Sequence, residues 1–325
     1  MTTLLKKQLL VWIVCAVFAS TAWAAPSPVK VKGSAVIGFD NNPGLNADRE
    51  DDFFAKETAK VSFKQPLFTP VKARLAYDVL NVNYFEQSEE DLLMQRAGAG
   101  LDVTLDPRTV LETDYGFRYV LFHQDDADDD RDRDDDLSTY WRHETRAGLR
   151  HRMSDAVVAR AGVGAQRRDY EDRMARQASG VLFGSEERSD DRYLADSEVV
   201  VRVAPRTFLR GGFNFYQNDS NDQFHDTYDY DSYEWFAGVR FSPFSKTTLS
   251  FKFSYENRDY DSRVLLDDAT VFQEDDIYRS FAGAYYKFNR NVSLGLTYTY
   301  RQRNSNEPTQ SYSGSLATAG FYINF

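Results

Sequence analysis

The sequence predicts an all-β protein: a transmembrane antiparallel up-and-down β-barrel of about 14 strands, within bounds of roughly 12–16. Three observations carry that prediction. Apolar and polar residues alternate with a period of two along much of the chain. Short turns and long polar connections alternate from one end to the other. After residue 24 no stretch is apolar enough for a membrane helix, yet the chain opens with an export signal.

That opening reads "MTTLLKKQLLVWIVCAVFASTAWAAPSP". Lys6 and Lys7 form a positive start, residues 9–19 an apolar core, and Ala22-Trp23-Ala24 a small-residue cleavage site. Residues 1–24 are therefore expected to be a cleaved signal peptide, and residues 25–325 one barrel domain. Trp12-Ile13-Val14 ahead of Cys15 lacks the small residue that a lipoprotein signal needs. Cys15 is the single cysteine, so the mature chain has no disulfide or thiol chemistry. Cleavage removes two positive charges from the net −11 and leaves −13. Such acidity argues against nucleic acid as a partner.

The strands show in the alternation. Leu111, Thr113, Tyr115, Phe117, Tyr119 and Leu121 alternate with Glu112, Asp114, Gly116, Arg118 and Val120. Tyr233, Trp235, Ala237, Val239 and Phe241 do so with Glu234, Phe236, Gly238, Arg240 and Ser242. Leu249, Phe251, Phe253 and Tyr255 flank Ser250, Lys252 and Ser254, and Leu294, Leu296, Tyr298 and Tyr300 flank Gly295, Thr297 and Thr299. Each is a strand with one apolar and one polar face.

The punctuation separates them. Short turns fall at 65–70, 105–109, 151–156, 203–207, 242–247 and 288–292, where Pro, Asp, Ser and Asn supply the turn chemistry. Long connections are expected at 41–51, 85–91, 124–138, 172–190, 218–228, 261–274 and 304–311. An outer-membrane barrel has this pattern, with short periplasmic turns and longer extracellular loops. A soluble β-sandwich would bury the apolar face equally well but gives no reason for loops to alternate in length. The aromatics suggest two interfacial belts. Tyr84, Tyr119, Tyr140, Trp141, Tyr170, Tyr216, Tyr233, Trp235, Tyr255, Tyr260, Tyr278, Tyr300 and Tyr312 gather at the long-loop ends. Phe63, Phe208, Phe241, Phe288 and Phe325 gather at the short-turn ends.

The chain closes on "TAGFYINF". Thr318, Gly320, Ile323 and Phe325 are similar to the C-terminal β-signal of Gram-negative outer-membrane proteins. That resemblance implies the cell outer membrane as location. It also implies periplasmic chaperones, the barrel-assembly machinery, membrane lipid and lipopolysaccharide as partners. "GLRHRMSDAVVARAGVGAQRRDYED" and "TTLSFKFSYENRDYDSR" further resemble β-barrel porins encoded beside exopolysaccharide genes. This second likeness carries no functional residue over.

If the apolar face meets lipid, the lumen receives Lys72, Arg74, Arg96, Arg118, Arg142, Arg146, Arg160, Arg202, Arg210, Arg240 and Lys252 as pore-lining candidates. Arg150, Arg168 and Arg258 share the same parity, as do the acids Asp78, Asp102, Glu112, Asp114, Glu144, Glu198, Glu234 and Glu256. A basic lumen favours anions, so the leading expectation is a porin-like channel for anionic solutes or (poly)saccharides. Alternatively the cations pair with the acids across neighbouring strands and fill a structural or export-accessory barrel, alone or as a homo-oligomer. A hydrolase is a third class, with His123 and His225 near many acids, but no nucleophile elbow or metal-ligand spacing accompanies them. No catalytic, cofactor or metal residue is therefore assigned. The acidic run 125–136 lacks the Gly and Glu of a calcium loop and reads as a solvated outer loop. Loops 172–190 and 261–274 carry apolar centres, Val181, Leu182 and Phe183 in one, Val264, Leu265 and Leu266 in the other. Each is expected to fold into the mouth or pack on a neighbouring loop.

Overall fold

The computed structural model describes residues 29–45, 50–122, 139–177, 179–223, 228–265, 268 and 270–325. The expected signal peptide, the acidic run 125–136, His123, His225 and Leu266 lie outside the described residues. The strands are β1 (Val29–Asp40), β2 (Asp52–Phe68), β3 (Val71–Tyr84), β4 (Leu92–Thr104), β5 (Thr109–Phe122), β6 (Tyr140–Arg152) and β7 (Val157–Arg176). They continue as β8 (Leu182–Ala204), β9 (Thr207–Ser220), β10 (Tyr230–Phe244), β11 (Thr247–Val264), β12 (Phe272–Lys287), β13 (Val292–Ser305) and β14 (Tyr312–Asn324). Each pairs antiparallel with its sequence neighbours, and β1 pairs with β14. The fold is thus the closed up-and-down barrel of 14 strands that the alternation predicts.

Closure satisfies the backbone groups that an open sheet would leave facing lipid. At the seam the Val31 N–H donates to the Phe325 carbonyl at 3.0 Å, and the Phe325 N–H returns a bond to Val31 at 2.8 Å. Gly320 sits on this seam against β1. A Cβ there would stand 2.5 Å from the Ala35 carbonyl oxygen, too close for any other residue without a backbone shift.

The concave face identifies itself through side chains that skip a strand. Lys64 of β2 reaches Asp102 of β4 at 2.5 Å, Arg301 of β13 reaches Asp40 of β1 at 2.7 Å, and Arg146 of β6 reaches Asp196 of β8. The opposite parity is apolar and bare. Trp235 is 59% exposed and Phe321 55%, as lipid-facing side chains of a solitary barrel should be.

Two expectations are corrected. Tyr84, Tyr140, Tyr170, Tyr216, Tyr260 and Tyr312 do not join the outer belt. They sit in register with lumen-facing Phe54, Val120, Tyr140, Ser232, Tyr230 and Arg303, and so point inward. Phe208, paired with Arg202 and Arg240, also faces in. A phenol closed off from water needs a polar partner, and the lumen supplies one where lipid cannot. The outer belt keeps Tyr119, Trp141, Tyr233, Trp235, Tyr255, Tyr278 and Tyr300. Its rings meet across strands, as Tyr119 does Trp141 at 4.1 Å and Tyr255 does Tyr278 at 5.2 Å.

The second correction concerns the long loops. Much of 172–190 and 261–274 is strand, because β7 runs to Arg176, β8 starts at Leu182, β11 runs to Val264 and β12 starts at Phe272. Val181 and Leu182 lie exposed at the tip of the β7–β8 hairpin and do not fold into the mouth. The hairpin is braced against the connection after β9. Arg176 pairs with Asp222 at 3.0 Å, and the Gln223 N–H donates to the Arg176 carbonyl at 2.9 Å.

Candidate functional site

The barrel interior divides into two regions. At the long-loop end a collar of polar and aromatic side chains is withdrawn from solvent. Asp275, fully buried, accepts from Arg303 at 2.7 Å and from Gln273 at 3.0 Å, and Arg303 also donates to the Tyr260 hydroxyl at 3.2 Å. Glu256 accepts from Ser232 at 2.8 Å, Arg279 at 2.7 Å and Arg258 at 3.2 Å. Asp190 accepts from Arg188 at 2.7 Å and from the Tyr170 hydroxyl at 3.0 Å. Asp40 takes Arg301 and, at 3.4 Å, the Tyr84 hydroxyl. An apolar sector of Val120, Phe122, Tyr140 and Tyr170, with Leu92 and Met94 against it, completes the ring. A cavity of about 200 Å³ remains in the collar, between Arg168, Arg192, Tyr216, Tyr230, Glu256 and Arg279.

Toward the short turns the lumen opens into a cavity of about 1130 Å³. Lys32, Lys56, Lys60, Arg96, Arg240, Lys246, Lys287 and Arg290 line it, with Asp78 as its one carboxylate. Lys60 pairs with Asp78 at 3.3 Å. Among the described residues the other cations of this wall make no ion pair. Between them lie hydroxyls bonded to one another, Ser34 to Thr58 at 2.7 Å and Thr297 to Thr318 at 2.6 Å. Tyr285 and Tyr322 meet edge to face at 5.6 Å.

Residues 238–325, from the middle of β10 to the C-terminus, match the family model described as "Putative beta-barrel porin 2". Over those residues the chain resembles that family. Two solved structures share its architecture. One is the outer membrane channel DcaP of Acinetobacter baumannii, at 10% identity over 91% of this chain and 97% of that one, with a TM-score of 0.54. The other is the in-vitro folded OmpT of Vibrio cholerae, an outer membrane protein, at 9% identity over 91% and 97% with a TM-score of 0.51. At such identities the likeness is one of fold alone. No curated protein matches the sequence.

In the barrel every expected pore-lining cation falls on the concave parity, but in different company. Arg74 pairs with Asp102 at 2.6 Å and Asp114 at 3.0 Å, Arg142 with Glu144 at 3.1 Å, Arg160 with Glu198 at 3.0 Å, and Arg210 with Glu198 at 3.6 Å. Arg146 turns to Asp196 rather than to Glu144. Lys72 and Arg202 stand near the short turns, in register with Asp102 and Phe208. Arg210 and Lys252 flank the Phe236 ring at 5.2 and 5.4 Å. Arg96, Arg118 and Arg240 make no ion pair among the described residues. Of the β-signal residues, Thr318 and Gly320 face the lumen, while Ile323 and Phe325 face outward.

Sequence reasoning missed Lys32, Lys56, Lys60, Arg192, Arg279, Arg301 and Arg303. The first three carry a readable signal, the alternation in "VKVKGSAVIGF" and "AKETAKVSFK". The last four belong to the collar, where the apolar alternation fades. The two described histidines lie on the outer parity, His143 bonded to the Tyr115 hydroxyl at 2.8 Å and His151 to Thr109 at 2.9 Å.

Proposed function

We propose that this barrel is an outer-membrane channel that favours anionic solutes, acidic saccharides among them. The wall of uncompensated lysines and arginines around the large cavity carries the reading. Rings of Arg and Lys raise the local concentration of anions, and low-dielectric walls focus their field. Hydroxyl groups between the cations replace part of a solute's hydration. The collar, where arginines meet carboxylates, adds a narrower passage of nearly balanced charge at the outer end.

The test is a single-channel recording of refolded protein in a planar bilayer under a KCl gradient. Discrete steps with a reversal potential displaced toward chloride are expected. Potassium selectivity would reject the reading. The collar favours a second one, a barrel that stays closed and serves an export assembly; absence of steps would support it.

A further inference from the structure

Hydrogen-bonded rows in a tilted barrel climb as they pass from strand to strand. The row that begins at Lys32, beside Asn324 at the end of β14, runs through Lys60, Asp78, Arg96, Arg118, Arg142 and Arg168 to Asp190 near the top of β8. Every member faces the lumen. With strands about 4.8 Å apart and tilted by about 40°, the seven steps from β1 to β8 rise by roughly 20 Å. That is most of the height of the apolar band. The lower members, Lys32, Lys60 and Arg96, line the large basic cavity, and Arg168 lines the collar cavity. The row joins the two chambers.

Its middle is unusual. Arg96, Arg118, Arg142 and Arg168 are direct cross-strand neighbours on four consecutive strands. Such pairs stand about 5 Å apart, and like charges directly opposite destabilise a sheet. Two of the four are compensated. Arg168 donates to the Tyr170 hydroxyl at 3.0 Å and covers the Tyr140 ring at 4.6 Å, and Arg142 pairs with Glu144. Arg118 makes no hydrogen bond or ion pair among the described residues, and the Nε atoms of Arg118 and Arg142 are buried without an acceptor. Folding alone gives no reason to align four guanidinium groups this way.

We infer that the row is a staircase of oxyanion sites, along which a carboxylate or phosphate group passes from one guanidinium to the next between the chambers. The guanidinium fork matches two oxygens of such a group, and neighbouring forks can hold it jointly. Chloride, with no pair of oxygens, gains only the charge. The ligand class is therefore a solute bearing a carboxylate or a phosphate, and the inference rests on the anion-channel reading for its physiological use.

The experiment uses inorganic phosphate, glucuronate and glucose as probes on the refolded full-length barrel. Phosphate or glucuronate is expected to interrupt the chloride current reversibly, and glucose is not. Block by one oxyanion alone names the group carried. Arg118→Met should weaken the block by about tenfold, and Arg118→Lys, which keeps the charge but loses the fork, should weaken it while leaving chloride preference intact. Titration calorimetry of the same proteins in detergent reads binding without conduction, so a silent pore would sink the channel reading and still decide this one. Equal binding in wild type and Arg118→Lys overturns the inference. So does failure of Arg118→Met to fold, because the row would then be structural.

Discussion

The collar and the cavity beneath it use the same residue types to opposite ends. In the collar the buried carboxylates Asp275, Glu256, Asp190 and Asp40 each hold at least one guanidinium, as in Asp275 with Arg303 and Glu256 with Arg258 and Arg279. Below, Lys32, Lys56, Arg240, Lys246 and Lys287 face one another with a single acid, itself taken by Lys60. Burial explains the difference. Charges withdrawn from water must be paired, whereas charges on a water-filled wall can remain unpaired and act on whatever enters. The collar's charges are neutralised by one another, and most of the cavity's cations stay unpaired among the described residues.

The comparison can be broken first at the collar. Asp275→Ala leaves Arg303, 4% exposed, without its carboxylate. A loss of about 3 kcal/mol is expected, read as a lower urea midpoint for unfolding of the refolded barrel. A change near zero would mean that water reaches the collar freely.

Next comes the cavity wall. Lys32→Glu combined with Lys287→Glu should move the reversal potential toward potassium. Both lysines are exposed, so stability should change by no more than about 0.5 kcal/mol. An unaltered reversal potential would place the selectivity elsewhere. Ionic strength sharpens the same contrast without mutation. Raising KCl from about 0.1 to 1 M shortens the screening length from about 10 to 3 Å. The anion preference should shrink, while the unfolding midpoint, set by the buried collar, should hold.

The smallest effect belongs to a turn outside both regions. Asp106 accepts from the Thr109 side chain and from the backbone N–H of Arg108 at 2.7 Å, which holds its carboxyl below the usual range. A depressed folded value means that its contribution is present above about pH 4, the unfolded value, and is lost as pH falls from there through the lower folded value. The gap in stability between wild type and Asp106→Ala should therefore narrow on acidification, measured as urea midpoints at neutral and low pH. A gap that widens would reverse the assigned sign.

Much of the fold was legible because a bilayer imposes strict rules. Each spanning strand must alternate, so Phe251 and Phe253 announce an outward face and Ser250 and Lys252 an inward one. The rule lapses where strands leave the apolar band. There Tyr140, Tyr170 and Tyr260 looked like belt residues and proved to be lumen residues, because a tyrosine near a loop satisfies either environment. The same lapse hid the extensions of β7, β8, β11 and β12, whose residues above the band are mostly polar and keep no strict alternation. Among the candidate site residues, the parity of Arg96, Arg118 and Arg142 could be read strand by strand, but not their alignment. Turn 105–108 places Arg96 opposite Arg118, whereas the match of Arg118 to Arg142 depends on register across the long connection between β5 and β6.

By itself the sequence determined a barrel of about 14 strands, its alternating turns and loops, and the facing of side chains where the apolar alternation is strong. Those features follow from period and composition, which are local. Only the tertiary structure decided which cations meet a carboxylate and which do not. It alone set the charge-paired collar above an open basic cavity and the row of arginines that runs between them. Pairing and register depend on the shear of the whole barrel, a property that no strand carries alone.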